Sequence, residues 1–182
     1  MPERKLLSYR KIAGYDLYAT FPEEAWTLRD LTILDRPESP AMHDLHAYWT
    51  VKRGARCAPG RHEIDPLEIK SHLGTLFMLD VLEAGRDYRY RLIGTRIVEV
   101  SGRDATGSCF SDLYASQPEA LDTVLRVFAP AVSEVRPVFA SGQMFWLPER
   151  DFRRFEGGYF PLSTDGAEVD VLLCKMCFLG AQ

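Results

Sequence analysis

The sequence predicts an α+β fold: a five-stranded, mainly antiparallel sheet, a helical crossover on one side of it, and a helical extension ahead of it. Three observations lead there. Up to Gly74, apolar residues recur at helical spacing between proline and glycine breaks. From Thr75 onward the pattern changes to short apolar or alternating runs bounded by turn residues. One long helical stretch, Pro118 to Val132, divides two such runs from three later ones.

The elements follow in order. The residues before Pro37 are hard to assign, with Trp26 to Leu34 reading as an extended arm or a short strand. Ser39 is placed to cap a helix running to about Ala55, with Pro40 in the first turn, where its missing N–H costs nothing. Met42, Leu45, Tyr48 and Trp49 share its apolar stripe, and Lys52, Arg53 and Gly54 suit its C-terminal end. Asp65, Pro66 and Glu68 form a capping-box pattern that predicts a second short helix ending near Gly74. Thr75 to Leu82 is a near-continuous apolar run. After the turn Glu83 to Asp87, Tyr88 to Ile93 alternates, with Tyr88, Tyr90 and Leu92 expected on one face and Arg89, Arg91 and Ile93 on the other. The pair reads as an antiparallel hairpin. Thr95 to Ser101 is helical and is closed by Gly102. Pro118 to Val132 follows, with Pro130 expected to end it. Three strands complete the chain: Pro137 to Met144, Phe152 to Leu162 and Val169 to Leu179. Gly157 and Gly158 mark a bulge in the second, and Thr164 to Gly166 turns into the third.

Composition narrows the function classes. With 46% hydrophobic and 26% charged residues, the 182-residue chain has the balance of one ordinary globular domain. A formal net charge of -4 offers no basic footprint for nucleic acid. The arginines at 53, 56 and 61, and at 150, 153 and 154, are interspersed with acids and read as solvated faces. No secretory leader is visible in the first residues. No apolar run reaches the roughly 20 residues a membrane helix needs, so the expectation is a cytoplasmic chain without membrane insertion. The cysteines are Cys57, Cys109, Cys174 and Cys177. Cys174 and Cys177 make a C-x-x-C, but within a strand pattern residues three apart point to opposite faces, so they are expected to be separate thiols rather than a metal or redox pair. No metal site is assigned.

The middle of the chain, Gly102-Arg103, Thr106-Gly107 and Ser111-Asp112-Leu113, resembles the loose signature of PAS domains, whose strand, helix and strand order also matches. A narrower resemblance rests on more residues. Tyr48-Trp49 with Lys52-Arg53-Gly54, Pro59 with Arg61, Ile64-Asp65-Pro66, Tyr90 to Thr95, Gly102-Arg103-Asp104, Thr106-Gly107 and Tyr159 to Leu162 are similar to the alphaproteobacterial PAS family called PAS_5. The resemblance spans about residues 40 to 180, and the segment before Pro37 lies outside it. It implies an N-terminal arm over residues 1–37, N-terminal helices over 38–74 that pack on the core or form a dimer interface, and a PAS core over 75–182. It also implies a sensory role, exercised through a pocket between sheet and helices and often through dimers.

The sites follow from that pocket. Its lining is expected from Met78, Tyr90, Leu92, Arg96, Ile97, Phe110, Leu113, Phe139, Trp146, Tyr159 and Leu173, residues that equally serve as plain core. Arg91 and Arg96 offer charge to a carboxylate or phosphate, while Arg91 reads equally as a surface strand residue. Leu45, Tyr48 and Trp49 are the dimer or interaction candidates, Trp49 as packing anchor or dimer contact. The cofactor is unassigned. Haem held by histidine is disfavoured, because His43, His46, His62 and His72 all precede the sheet and none falls between Thr95 and Val132. Cysteinyl-flavin is disfavoured because Ser108-Cys109-Phe110-Ser111-Asp112-Leu113 lacks the Asn, Arg and Gln of the flavin-binding motif, and Cys109 reads as a small buried hydrophobe. His43 and His46 read as exposed or capping residues rather than a metal pair.

No nucleophile elbow, no Ser-His-Asp set and no phosphate-binding glycine loop is present, so no catalytic residue is assigned. The expected role is a non-catalytic sensory module. It would bind a small molecule or a protein partner and pass its signal to a separate protein, with a homodimer as the candidate assembly. The rivals are a small α+β isomerase or dehydratase, for which Asp80 with Tyr90 is the best acid–base pair, and a ligand-free structural adaptor.

Overall fold

Prolines and glycines set most element boundaries in the computed structural model, which describes residues 31–143 and 152–180. Helix α1 spans Pro40–Arg53 and ends at Gly54, whose φ of 58° only glycine tolerates readily. Strands β2 (Leu76–Leu82) and β3 (Asp87–Ile93) form the expected antiparallel hairpin. Then come α2 (Thr95–Ser101), α3 (Phe110–Leu113) and α4 (Pro118–Ser133), followed by β4 (Val138–Gln143), β5 (Phe152–Leu162) and β6 (Val171–Gly180). Gly102 closes α2 in the left-handed region at φ 70°, donating its N–H to Val98 O at 2.8 Å. Among the described residues no helix is long and apolar enough to cross a membrane.

With Thr32–Leu34 as β1, the sheet has six strands among the described residues, not five, in the order β1-β4-β5-β6-β2-β3. This sixth strand lies within the stretch that the sequence left open between an extended arm and a short strand, and it pairs antiparallel with β4 and covers its edge. Three residues are too few to show an alternating pattern, so only the partner strand defines them.

Four further expectations are corrected. Residues 65 to 72 form successive turns, not a helix. Their amides reach back three residues rather than four (Glu68 N to Asp65 O, 3.1 Å; His72 N to Ile69 O, 2.9 Å), and Asp65 Oδ1 accepts from Leu67 N at 2.8 Å. The capping box fails because Glu68 pairs with Lys52 at 2.6 Å, while the Asp65 N–H donates to the Tyr48 hydroxyl at 2.9 Å. Pro130 lies inside α4, which runs on to Ser133. Gly157 and Gly158 pair regularly with Met176 and Lys175 without a bulge. A Cβ at Gly158 would stand 2.3 Å from Met42 Sδ, so this glycine lets α1 approach the sheet. In β5 the register shifts nearer its start, between Phe152 and Arg154, and in the hairpin it shifts between Met78 and Leu79, opposite Leu92 and Tyr90. The hairpin shift makes Arg91 an extra residue and reverses the alternation beyond it. Leu92 is therefore 49% exposed, while Ile93 packs inward.

The sheet is covered on both faces, whereas the sequence pattern suggested helices on one side only. Phe77, Leu79, Tyr88, Ala140 and Leu172 face the crossover, packing with Phe110, Val124 and Phe128. Leu76, Met78, Phe139, Phe160 and Leu173 face the other way and pack beneath Met42, Leu45 and Trp49 of α1. Cys174 and Cys177 divide between these two faces, and all four cysteines are free.

The start of α1 is held by a buried carboxylate. Glu156 of β5 accepts the N–H groups of Glu38 at 2.7 Å and Ser39 at 2.9 Å. Ser39 makes no side-chain cap and turns its hydroxyl to Cys177 Sγ at 3.2 Å. Lys175 is also buried on this face and donates to Thr75 Oγ1 at 2.8 Å. Burial lowers the pKa of its ammonium group, and nearby Cys177, Asp44 and Glu156 pull it back up.

Candidate functional site

Between the sheet and the crossover lies a cavity of about 140 Å³. The hairpin brings Phe77, Tyr90 and Ile93 to it, and β5 and β6 bring Phe155, Tyr159 and Met176. Its other wall is Ile97 and Ser101 of α2, Arg103 and Ala105 beyond it, Phe110 and Leu113 of α3, Tyr114, and Val124, Val127 and Phe128 of α4; Leu31 completes it.

Local chemistry explains this wall. The segment after Gly107 is tied to the outer edge of β3, with Gly107 N donating to Tyr90 O at 2.7 Å and Tyr90 N to Ser108 O at 3.0 Å. Asp87 then accepts from the amide of Ser111 at 3.1 Å and from its hydroxyl at 2.7 Å. These bonds aim Phe110 inward against Tyr90, ring centroids 4.9 Å apart. Cys109 sits at the start of α3, only partly buried rather than the buried hydrophobe expected.

Three phenol groups border the cavity. Burial pushes Tyr114 up to about 12, against the opposing field of Arg103. It raises Tyr90 and Tyr159 further, with neighbouring Cys174 and Tyr114 adding to the effect on each. All three hydroxyls therefore stay protonated as hydrogen-bond donors at neutral pH. Tyr88 lies behind this layer, its buried hydroxyl without a hydrogen-bond partner among the described residues.

Of the expected lining, the structure brings together Tyr90, Ile97, Phe110, Leu113 and Tyr159. Met78, Phe139 and Leu173 belong to the opposite face, beneath α1. Leu92 is carried outward by the register shift, and Arg96 pairs with Glu99 at 3.2 Å outside the cavity. Trp146 lies outside the described residues. Arg91 turns away and joins Arg89 on Asp80, at 2.9 and 2.8 Å. The cation at the cavity is Arg103, which the sequence showed only as a neighbour of Gly102. Phe77, Ile93, Tyr114, Phe128, Phe155 and Met176 were also missed. Periodicity marked several of them as apolar, but not which layer they join.

The other candidates resolve by position. Leu45 and Trp49 are buried against the sheet, the Trp49 indole donating to Pro161 O at 2.9 Å. Tyr48 stands beside them, with Lys52 Nζ 5.3 Å from its ring centre. Asp80 and Tyr90 do not form the proposed acid–base pair. Asp80 is on the arginine-bearing face of the hairpin, whereas Tyr90 faces the cavity. None of the four histidines borders the cavity, and among the described residues no cluster of His, Cys, Asp or Glu could hold a metal ion. A second, larger depression of about 330 Å³ lies between the loops carrying Arg56 to His62 and Ser163 to Val169. Its walls are mostly exposed loop with mixed charge, so it lacks the aromatic lining of the first.

A family model for the PAS domain, PAS_5, matches residues 37–144. No curated protein and no solved structure matches the chain.

Proposed function

This chain belongs to the PAS_5 family of PAS domains, and from that premise we propose that it is a non-catalytic sensory module whose ligand occupies the aromatic cavity. The observation that carries this reading is the cavity itself, set between the sheet and the crossover and provided with a few polar groups on a mostly apolar wall.

Strand β5 supports a route for the signal. Phe155 and Tyr159 face the cavity, while the intervening Glu156 and the adjacent Phe160 meet α1 on the other face. A ligand that moves β5 changes the seat of α1, provided it binds the two seatings with different affinity. The receiver is then a separate protein that reads the α1 face. A homodimer through Leu45 and Trp49 requires α1 to leave the sheet, because both side chains are buried within the chain. Asp80 and Tyr90, the acid–base pair of the enzyme alternative, are separated, Asp80 lying with the hairpin arginines and Tyr90 at the cavity.

Native mass spectrometry of freshly purified protein tests this reading. A retained small molecule, lost on denaturation and displaced by bulky substitution at Val124, supports it. An empty protein that stays empty across a small-molecule library favours the structural adaptor and overturns it.

A further inference from the structure

The chemistry of the cavity wall restricts what can enter. Among the described lining residues Arg103 is the one charged side chain, and no carboxylate is present. The positive field of Arg103 reaches the cavity, opposing the rise in the pKa values of Tyr90 and Tyr114, and that field favours an anion over a cation. The remaining polar groups are Ser101 and three phenols. Ser101 is spent locally, its hydroxyl bonding to Val98 O at 3.4 Å and Arg103 O at 3.0 Å. The hydroxyls of Tyr90, Tyr114 and Tyr159 make no hydrogen bond with any described residue. Their protonated state makes them donors in search of an acceptor.

Size and shape act as a second filter. At about 140 Å³ the cavity is close to the roughly 150 Å³ apolar cavity that takes benzene. Rings dominate its wall in tilted pairs: Tyr90 packs on Phe110 with centroids 4.9 Å apart, and Phe128 on Tyr159 with centroids 4.4 Å apart. A wall of rings favours an aromatic ligand, which meets them offset or edge-on.

We propose that the ligand is a monocyclic aromatic carboxylate, its ring among Tyr90, Phe110 and Phe128 and its carboxylate taken by Arg103 with the tyrosine hydroxyls. This deepens the reading of the cavity as a ligand site and rests on it. A planar carboxylate suits a guanidinium, whose two parallel N–H groups match its two oxygens. A guanidinium has five donors, so Arg103 serves a ligand alongside its contacts within the protein.

The test is calorimetric titration of the full chain with benzoate, toluene and benzylamine. Methyl chemical shifts of Ile97 and Val124 report whether a bound probe is in the cavity. Benzoate is expected to bind at least about tenfold more tightly than toluene, with benzylamine weakest, as the loss or reversal of a charge-assisted contact requires. Arg103→Met is expected to weaken benzoate about 10- to 100-fold and leave toluene unchanged. Tyr114→Phe, which keeps the ring, is expected to weaken benzoate several-fold, so the inference does not depend on one variant folding. Toluene binding in the cavity as tightly as benzoate, or benzoate indifferent to both substitutions, overturns the carboxylate and leaves the ligand cavity standing. No shift of the Ile97 and Val124 methyls with any probe overturns both.

Discussion

Removing the Glu156 carboxylate should release the start of α1 from the sheet. Glu156 is 0% exposed and accepts two backbone N–H groups, from Glu38 at 2.7 Å and Ser39 at 2.9 Å. Ser39 makes no side-chain cap of its own, so these two bonds hold the start of the helix. A hydrogen bond to a charged group contributes about 1.5–3 kcal/mol, so the two together reach roughly 3–6 kcal/mol. Relief of the carboxylate's own desolvation offsets part of this, but Lys175 is left buried with one fewer anion nearby. Glu156→Ala is therefore expected to cost about 3 kcal/mol, a large share of the roughly 5–15 kcal/mol that holds a domain folded. At about 2–4 °C per kcal/mol, the midpoint falls by roughly 6–12 °C. Glu156→Gln keeps one acceptor and should cost about half as much. Scanning calorimetry gives the magnitude, and amide exchange across residues 42 to 49 gives the location. Pairing Glu156→Gln with Lys175→Met should cost less than the sum of the two, since the second change removes the stranded cation. A Glu156→Ala melting point within about 2 °C of the parent, equivalent to under ~1 kcal/mol, would refute the anchor. Protection lost evenly along the chain, rather than in α1, would do the same.

Other perturbations separate structure from function. Gly94→Ala should cost about 2–3 kcal/mol in urea unfolding, because a Cβ there would stand 2.4 Å from Leu73 O and 2.5 Å from Gly74 O, backbone atoms that cannot turn aside. Asp80→Asn breaks two ion pairs to half-exposed arginines, so a loss of about 1 kcal/mol or less and unchanged ligand binding are expected; loss of a catalytic turnover on this change would instead revive the enzyme alternative. Burial lowers the pKa values of His46 and His72, with His43 and Arg53 adding to the first and Lys175 to the second, while Asp44 opposes the latter. The unfolded chain therefore takes up these protons first. Stability from this source is full above about pH 6.5 and declines as the pH falls below that value toward the folded pKa values. Urea midpoints between about pH 8 and pH 5 should show the decline, and the double variant His46→Gln, His72→Gln should flatten it.

Much of the framework was legible because its signals are local. Pro40 and Gly54 delimit α1, Gly102 closes α2, and turn residues between apolar runs divide the strands. Other features were hidden because their cause lies in a distant segment. Whether Thr32–Leu34 was arm or strand stayed open in the sequence, and pairing with β4 decides it. Asp65 and Glu68 have the spacing of a helix cap, yet Tyr48 and Lys52 from another turn of chain take the bonds that the cap would use. The site shows the same division. Tyr90, Phe110 and Tyr159 could be named from the strand and helix patterns, while Arg103 had no pattern to mark it.

The sequence alone determined the order of the longer elements, α1, the hairpin, α4 and the three last strands, together with the family resemblance and the supply of aromatic side chains for a pocket, because proline, glycine and apolar spacing act within a few residues. The tertiary structure decided which face each side chain serves. One extra residue in β3 turned Leu92 out and Ile93 in, and docking of α1 on the opposite face drew Met78, Phe139 and Leu173 away from the cavity. A strand's side chains alternate with a period of two, so a single-residue shift in register reassigns them between layers, and that register is set by the partner strand.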